Sequence, residues 1–450
     1  MRARSVTTSH QFLLLLALAG AFFPACAGRQ ERDLRGALQA YGSRASEGKR
    51  AEEMTQLGSR LVDYLAYATD HSPELRAEYE RFAASVHRIA GERTLPDPMV
   101  EFGVFVWNSG ENAGLTGARV GVKQEFPWPS NLSAGADVAA AEAQSQRRRL
   151  EARLLDLKWR VTEAYYGLWL IGRTREIDRE QLSILQGLAE SAAGQIAVGA
   201  ATLADVQQID LSVIRLEDAL QALDEEEVAA RAALRAAIGA PDSLNLTVAK
   251  EVEEPALPGE PVSALRQSVR EHPALDSLAF AIERGEAMVR LQRAQRMPGL
   301  VVGVEWMRMP GEGGMSAISP NFGIKLPLFQ GSYQKSIQAA QAESFAMVAD
   351  RDGVVLMAHA ELEQALAQLR DSHRRVLLNE RTLLPQAEAA YASVLGAYAT
   401  GRGSIAASLL AQRELLEIRV DWEKAHAEHL IAWARLEQIV GRAVERQAVE

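Results

Sequence analysis

The chain lacks most of the residue patterns that carry catalysis, and its one cysteine, Cys26, excludes an intrachain disulfide. It contains no arrangement of serine, histidine and acid, no cysteine pair and no phosphate-binding glycine loop, so neither an enzyme nor a cofactor is indicated. The formal net charge is −10, and the only dense basic cluster is the triplet Arg147 to Arg149 on one predicted helix. Binding of a phosphate backbone needs a broad basic surface, and nucleic acid is therefore excluded as a partner.

Long apolar runs are also scarce. One run, from Phe12 to Phe23, follows Arg2 and Arg4 and is too short to span a membrane as a helix. It has the length of a secretory signal's core, and we expect residues 1–26 to be a signal peptide. Two forms of processing remain open: ordinary cleavage that removes Cys26, and cleavage before Cys26 that leaves it lipidated. No other run of about 18 apolar residues occurs, so no transmembrane helix is predicted.

Proline is absent from residues 130–198, and this stretch predicts one helix about 100 Å long. A helix of that length cannot be the core of an ordinary globule and needs other long helices beside it. Its apolar residues alternate at spacings of four and three, which is typical of a coiled-coil seam. Arg175 and Asp178 interrupt the seam, and the sequence does not explain them. The seam residues are Leu150, Leu154, Leu157, Val161, Ala164, Leu168 and Ile171, followed by Leu182, Leu185, Ala189, Ala192 and Ile196.

The residues before this helix predict two shorter helices and then two strands. A helix is predicted near residues 55–68, and another after Ser72, which can serve as its N-cap. Apolar residues then alternate with polar or small ones, which indicates two strands with one apolar face each. The apolar positions are Val100, Phe102, Val104 and Val106 in the first strand and Val120, Val122 and Phe126 in the second. After a glycine turn at residues 199–202, a second four-three seam predicts a helix that returns antiparallel to the long one.

The sequence pattern recurs after about 200 residues. Leu326-Pro327-Leu328 in the second half corresponds to Phe126-Pro127-Trp128 in the first, and His272-Pro273-Ala274-Leu275 corresponds to the stretch from Ser72 to Leu75. The second half therefore predicts the same plan. Its expected elements are strands near residues 300–309 and 321–329 around a loop at 310–320, a long helix over 331–399, and a returning helix.

The resulting domain organisation has six parts, and each repeat holds a helix, two strands and a long helical hairpin. The expected parts are a signal peptide (1–26), an N-terminal arm (27–58), repeat 1 (59–241), a linker (242–262), repeat 2 (263–442) and a C-terminal tail (443–450).

Four strands in one chain cannot close a barrel, and an open sheet with unpaired edges is not tolerated inside a lipid bilayer. Three chains would supply twelve strands, an even number that suits a transmembrane barrel. The strands alone leave a second interpretation open, an ordinary soluble sheet that caps a helical domain.

Residues 55–442 resemble the outer-membrane efflux proteins, the TolC-like channels of tripartite pumps, and within them the heavy-metal-efflux branch. The residues that carry the resemblance are Leu95-Pro96-Asp97-Pro98, Gln124-Glu125-Phe126-Pro127-Trp128, the stretch from Val198 to Val206 and the stretch from Gly401 to Ser404. None of these motifs is specific alone, but their order and the duplication are. The resemblance implies a mainly α fold with a small transmembrane β part, in which a trimeric α-barrel of long antiparallel helices continues into a 12-stranded β-barrel with four strands per chain.

The same resemblance implies a location in the cell outer membrane, in contact with its lipid and extending into the periplasm. It implies a homotrimer that acts as the passive exit duct of a tripartite pump and exports small molecules or metal ions. The energy would come from an inner-membrane pump, and a periplasmic adaptor protein would link the two. The surplus of acidic residues predicts a lumen that favours cations. The alternative function is a periplasmic coiled-coil adaptor or scaffold, lipid-anchored through Cys26, without channel activity.

The turns between the long helices are the candidate functional sites. In the family these turns form the periplasmic tip where the adaptor docks, and the matching residues here are Gly199, Thr202, Gly401 and Ser404. Glycine and a hydroxyl residue are also what any tight helical turn requires.

Three further positions complete the candidate sites. Asp205 matches an acidic tip residue of the family, and with Arg402 it forms a candidate gate pair. Cys26 is the candidate lipidation site. His426 and His429 lie three residues apart on one predicted helix, a spacing that can bind a metal, but His429 fits the helix seam and no metal site is predicted.

Overall fold

The computed structural model describes residues 29–48, 57–106, 116–196, 201–308, 316–400 and 402–447. These residues form two compact units. The first unit takes the described residues within 1–40, 80–147 and 277–351, and the second takes those within 41–79, 148–276 and 352–450.

The described chain is mainly helical and contains one four-stranded antiparallel sheet. Its helices are α1 (Arg29–Gly48), α2 (Leu61–His71), α3 (Pro73–Arg93), α4 (Pro129–Ile196), α5 (Leu203–Ile238), α6 (Val262–Arg270), α7 (Pro273–Ala294), α8 (Gln330–Leu378), α9 (Leu384–Ala399) and α10 (Ile405–Val440). Its strands are β1 (Met99–Val106), β2 (Thr116–Phe126), β3 (Gly299–Arg308) and β4 (Ser316–Lys325). Among these residues, none of the helices combines the length and the apolar character that crossing a membrane would require.

The long helix expected from the proline-free stretch is α4. It begins at Pro129, where a missing N–H costs nothing because the first turn of a helix has no partner for it. The expected seam is confirmed over most of its length, since Leu150, Leu157, Val161 and Leu168 are all buried, whereas Ile196 at its end is exposed. The returning helices α5 and α10 likewise lie where the sequence predicts them.

The second long helix differs from the expectation of one helix over residues 331–399. A π-helical turn, Asn379–Leu383, separates α8 from α9. Pro385 lies two residues after this turn; it has no N–H to donate, and its ring crowds the preceding turn of an α-helix. The wider π turn accommodates the proline within a continuous helical path.

The last strand also differs from its expected bounds. We predicted a loop up to Pro320 and a strand over residues 321–329, whereas β4 runs from Ser316 to Lys325. Pro320 pairs with Val304 inside the strand. The sheet order is β1-β2-β3-β4, so within the chain β4 is an edge strand, where a residue without an N–H is tolerated.

The N-terminal arm contains helix α1, which the sequence analysis did not identify. In the first unit the carboxylate of Glu31 is buried and accepts hydrogen bonds from Arg35 at 2.6 Å and Arg93 at 3.0 Å. A buried carboxylate is stable only when it is paired in this way. The pair with Arg93 therefore joins α1 to α3.

In the second unit, the C-terminal tail lies along the linker. The amide of Gly259 donates to the carbonyl of Glu445 at 2.9 Å, and the amide of Gln447 donates to the carbonyl of Leu257 at 2.8 Å. Arg442 donates to both carboxylate oxygens of Glu260, which lowers the pKa of that carboxyl to about 2. The linker is thus held by backbone pairing and a bidentate ion pair, although it contains little regular structure of its own.

A hydrophobic core in the second unit packs α6, α8 and α10 together. Leu265 of α6, Leu362 and Leu369 of α8, and Leu436 of α10 are fully buried in it. Ala256 and Leu257 of the linker pack against the same cluster.

Two glycines with positive φ end the returning helices. Gly239 ends α5 with φ +72°, and Gly441 ends α10 with φ +84°. A Cβ on Gly239 would lie 2.7 Å from the carbonyl oxygen of His71, and one on Gly441 would lie 2.8 Å from the imidazole of His272. Each glycine is therefore required both by its left-handed backbone and by a close neighbour, and the two occupy corresponding positions of the proposed repeats.

Candidate functional sites at the helical turns and on the sheet

The structure brings the starts of α5 and α10 together in the second unit. Ile209 and Leu216 of α5 pack with Leu185 and Ala192 of α4 and with Ile405 of α10 in one apolar cluster. The helix starts that follow the two turns singled out in the sequence therefore lie in one region of the unit. We call these five apolar residues the tip cluster.

Thr202 is the N-cap of α5. Its hydroxyl oxygen accepts from the amide of Asp205 at 3.2 Å, and its own amide donates to the Asp205 carboxylate at 2.8 Å. The Thr202 hydroxyl also donates to that carboxylate at 2.8 Å. This reciprocal capping box satisfies N–H groups that the first turn of a helix leaves without partners.

Ser404 is the N-cap of α10, and its hydroxyl oxygen accepts from the amide of Ala407 at 3.3 Å. The turn before it is closed by the amides of Arg402 and Gly403, which both donate to the carbonyl of Ala397. A Cβ on Gly403 would lie 2.9 Å from the amide nitrogen of Tyr398, so this turn has room only for glycine.

The candidate gate pair is not joined within the described part of the chain. The Asp205 carboxylate bonds to Thr202, and the guanidinium of Arg402 donates to the hydroxyl of Thr400 at 3.2 Å. Gly199, Gly401 and Cys26 lie outside the described residues.

Replacing Thr202 by alanine should destabilise the start of α5 by about 1 kcal/mol, because it removes the oxygen that caps the Asp205 amide. Hydrogen–deuterium exchange of the first turn of α5 would measure the loss. Thr202→Ser keeps the oxygen and is the matched control. Equal exchange in the two variants would show that the capping box does not hold this turn.

An open groove of about 420 Å³ lies between α5 and α10 beside the tip cluster. Its apolar lining includes Leu211 and Leu216 of α5 and Leu409 and Leu410 of α10, and Leu211 and Leu410 are exposed. Arg215 and Arg413 also line it. The groove can therefore offer apolar contact together with positive charge.

The sheet in the first unit has two chemically different faces, as the alternation predicted. One face is apolar and open: Phe102 is 79% exposed and Phe322 is 77% exposed. A large exposed apolar surface of this kind marks a site of contact with lipid or protein. Its members are Val100, Phe102, Val104 and Val106 of β1, Val120 and Val122 of β2, Leu300, Val304 and Trp306 of β3, and Ile318, Phe322 and Ile324 of β4.

The opposite face carries ion pairs that link the strands. Lys123 lies 2.6 Å from Glu101 of the neighbouring β1, and Arg119 lies 3.5 Å from Glu305 of β3. These pairs were not predicted from the sequence. Alternation assigned charged residues to one face, but only the register places these partners on adjacent strands.

A third pair on this face crosses an entire strand. Lys325 of β4 reaches Glu125 of β2 at 2.9 Å, although β3 lies between these strands. The residue between them is Gly299, which pairs with Lys325; its missing side chain leaves the path open.

The interruption of the α4 seam by Arg175 has a structural reason. Arg175 is paired with Glu227 and lies 3.1 Å from Asp224, both on α5. Two residues earlier, Arg173 donates to Glu423 of α10 at 2.6 Å. Asp178 is buried, and burial raises the pKa of its carboxyl. The long helix is thus joined to two returning helices by charge as well as by its seam.

His429 lies in the seam of α10, as expected, and links that helix to the linker. Its Nε2 accepts from the amide of Ala256 at 3.1 Å, and its Nδ1 lies 3.2 Å from the hydroxyl of Ser372 of α8. The Ser372 hydroxyl donates to the carbonyl of Leu369, so Nδ1 carries the proton and the ring is neutral. Burial, together with neighbouring His373, lowers the pKa of His429 to about 4.

An open cavity of about 500 Å³ is lined by two neighbours of His429, Ala256 and His373, and by His426 among others. Burial lowers the pKa of both rings. Within the described ranges, no group of three or more histidine, cysteine, aspartate or glutamate side chains is placed to hold a metal ion.

Comparison with known proteins agrees with this architecture. Residues 264–442 match the sequence model of the outer membrane efflux protein family. The cobalt-zinc-cadmium resistance protein CzcC of Cupriavidus metallidurans is 23% identical over 391 residues, which is 84% of this chain and 89% of that protein.

Solved structures of the same fold include CusC and VceC. CusC, whose structures describe folding and transmembrane channel formation, has a TM-score of 0.72 at 16% identity and covers 85% of this chain and 92% of its own. The outer membrane protein VceC of Vibrio cholerae has a TM-score of 0.68 at 20% identity and covers 86% of this chain and 97% of its own.

Proposed function

We infer from these matches that the chain is a member of the outer membrane efflux proteins, as its sequence resemblance indicates, and that it lies in the outer membrane and extends into the periplasm. We propose that it forms the passive exit channel of a tripartite efflux system and exports small molecules or metal ions. The observation that carries this proposal is the sheet, which is apolar and exposed on one face and charged on the other.

A sheet of this composition fits the wall of a pore. The apolar face suits contact with lipid chains, and the charged face suits a water-filled interior. Four strands leave two open edges, and copies of the chain would pair them; we propose three copies and twelve strands, as in the resemblance. The CzcC relative, a cobalt-zinc-cadmium resistance protein, supports metal ions as one class of cargo.

The tip cluster is the proposed docking site for a periplasmic adaptor. Thr202 and Ser404 fix the two turns through their caps, and the apolar groove beside them offers a surface for a helix of the adaptor. Arg215 and Arg413 would favour a helix that carries acidic residues. We propose that Gly199 and Gly401 take part in the same contact.

The test of the channel is electrical. The purified chain, added to a planar lipid bilayer, should produce stepwise conductance, and it should migrate as a trimer before heating and as a monomer after it. Phe102→Arg is the matched negative control, because a cation at the lipid-facing position costs about 2 to 4 kcal/mol at the bilayer midplane. Absence of conductance and of a trimer would contradict the proposal and favour a scaffold that does not cross the membrane.

A further inference from the structure

The charged face of the sheet is balanced. Among the described residues of the four strands, this face carries three basic and three acidic side chains, and each of them belongs to one of three pairs. The pairs are Lys123 with Glu101, Arg119 with Glu305, and Lys325 with Glu125. Arg308 lies on the opposite face, because it pairs with Ala118, the residue before Arg119.

Glycines leave room for two of these basic side chains to lie against the sheet. A Cβ on Gly103 would lie 2.5 Å from Nε of Arg119, and a Cβ on Gly303 would lie 2.8 Å from Cγ of Lys123. The two long side chains therefore lie over glycines of the neighbouring strands instead of extending away from the face. This arrangement keeps each cation near its carboxylate.

We propose that these three cross-strand pairs determine ion selectivity in the sheet section of the channel, by cancelling the charge of its wall so that ions of both signs pass. The inference rests on the proposed channel function. It departs from the cation preference that the acidic surplus of the whole sequence predicts, because that surplus lies outside this face. The residues that decide selectivity here are the members of the pairs, with Arg119 and Glu305 linking the two central strands.

Neutralising one member of a pair should make the pore selective. Arg119→Gln leaves Glu305 without its cation and should shift the reversal potential in a potassium chloride gradient toward cations. Glu305→Gln should shift it toward anions. A wall potential of one kT per unit charge changes the ratio of cation to anion permeability several-fold. At about 0.1 M salt, this permeability ratio should rise at least roughly threefold in Arg119→Gln and fall at least roughly threefold in Glu305→Gln.

The double variant Arg119→Gln with Glu305→Gln is the decisive measurement, because it restores the charge balance without restoring the pair. Its reversal potential should return to that of the unmodified chain. Lys123→Gln and Glu101→Gln provide a second, independent pair if the first variants insert poorly. Arg266→Gln, at an exposed position of α6 in the second unit, controls for a change in total charge.

The outcomes separate this inference from the proposed function. If the unmodified chain gives no conductance, the channel itself is wrong. If it conducts but is strongly selective, or if the single variants leave the reversal potential unchanged, the channel stands and the balanced wall is wrong. Opposite shifts in the single variants and their cancellation in the double variant support the inference.

Discussion

Replacing Arg173 by methionine should lower the free energy of unfolding by about 3 to 5 kcal/mol. The guanidinium donates to one oxygen of Glu423 through Nε at 2.9 Å and Nη2 at 2.6 Å. The Glu423 side chain is only 6% exposed, so the substitution would leave a buried carboxylate without its cation. Urea unfolding of the refolded chain, followed by circular dichroism, would measure the change.

Two controls separate the effect of leaving a buried carboxylate unpaired from the effect of losing an ion pair. The double variant Arg173→Met with Glu423→Leu removes the stranded carboxylate and should recover most of the loss. Arg266→Met breaks the pair between α6 and Glu363, whose side chains are about half exposed, and should cost less than about 1 kcal/mol. If Arg173→Met lowers the free energy of unfolding no more than Arg266→Met does, Glu423 is hydrated in the folded chain and the ion pair does not stabilise the contact between α4 and α10.

Acidification should destabilise the chain by about 3 kcal/mol through His429 alone. Its pKa falls from an ordinary 6.5 to about 4 on folding, so the unfolded chain binds more protons between these two values. The contribution is therefore fully present above pH 6.5 and is lost as the pH falls to 4. His373 and His426, whose pKa values are also lowered, add to the same trend.

The measurement is the free energy of unfolding at several pH values between 4 and 7. His429→Gln keeps an oxygen that can accept from the amide of Ala256 but does not titrate, and it should flatten the slope. His359→Gln, the same change on α8 outside this cluster, should leave the slope due to His429 in place. Loss of the slope in the His359 variant, or its persistence in the His429 variant, would contradict the assignment.

Acidification should first loosen the contact between the linker and α10. Protonation of Nε2 removes the acceptor for the Ala256 amide and places charge between α8 and α10. Charged groups nearby are Glu254 of the linker and Glu380 and Arg381 of the π turn, which line the adjacent cavity, and the pair of Arg375 with Glu428, the residue before His429.

The sequence predicts the long helices well because their apolar residues repeat over many turns. A seam such as that from Leu150 to Leu168 fixes the helix, its buried side and the need for partners, and the structure confirms the burial. The first strand pair is predicted for the same reason, since alternation holds over each strand. The second pair follows from the repeat, although β4 begins five residues earlier than expected. Thr202 and Ser404 are predicted as turn residues because capping is a local property.

The sequence does not predict the contacts that depend on register between elements. Arg175 and Asp178 interrupt a seam, but no spacing rule indicates that Glu227 lies opposite Arg175 on another helix. Pro320 suggests the end of a loop because proline has no N–H to donate between strands, and only the pairing shows that it lies inside β4, the outermost of the four strands of this chain. The gate pair of Asp205 and Arg402 remains a proposal for the assembled channel; in the single chain Asp205 caps its own helix.

The π turn at Asn379–Leu383 accommodates a proline and also sets the rotation of α9 about its own axis. Each residue added to or removed from a helix rotates everything after it by about 100°. The extra residue in this turn therefore selects which side of α9 faces the tip cluster, where Tyr398 packs. Deleting one residue here would leave the composition of the helix almost unchanged and turn its last four turns away from their partners. The tip is thus aligned partly from a point about 20 residues before it.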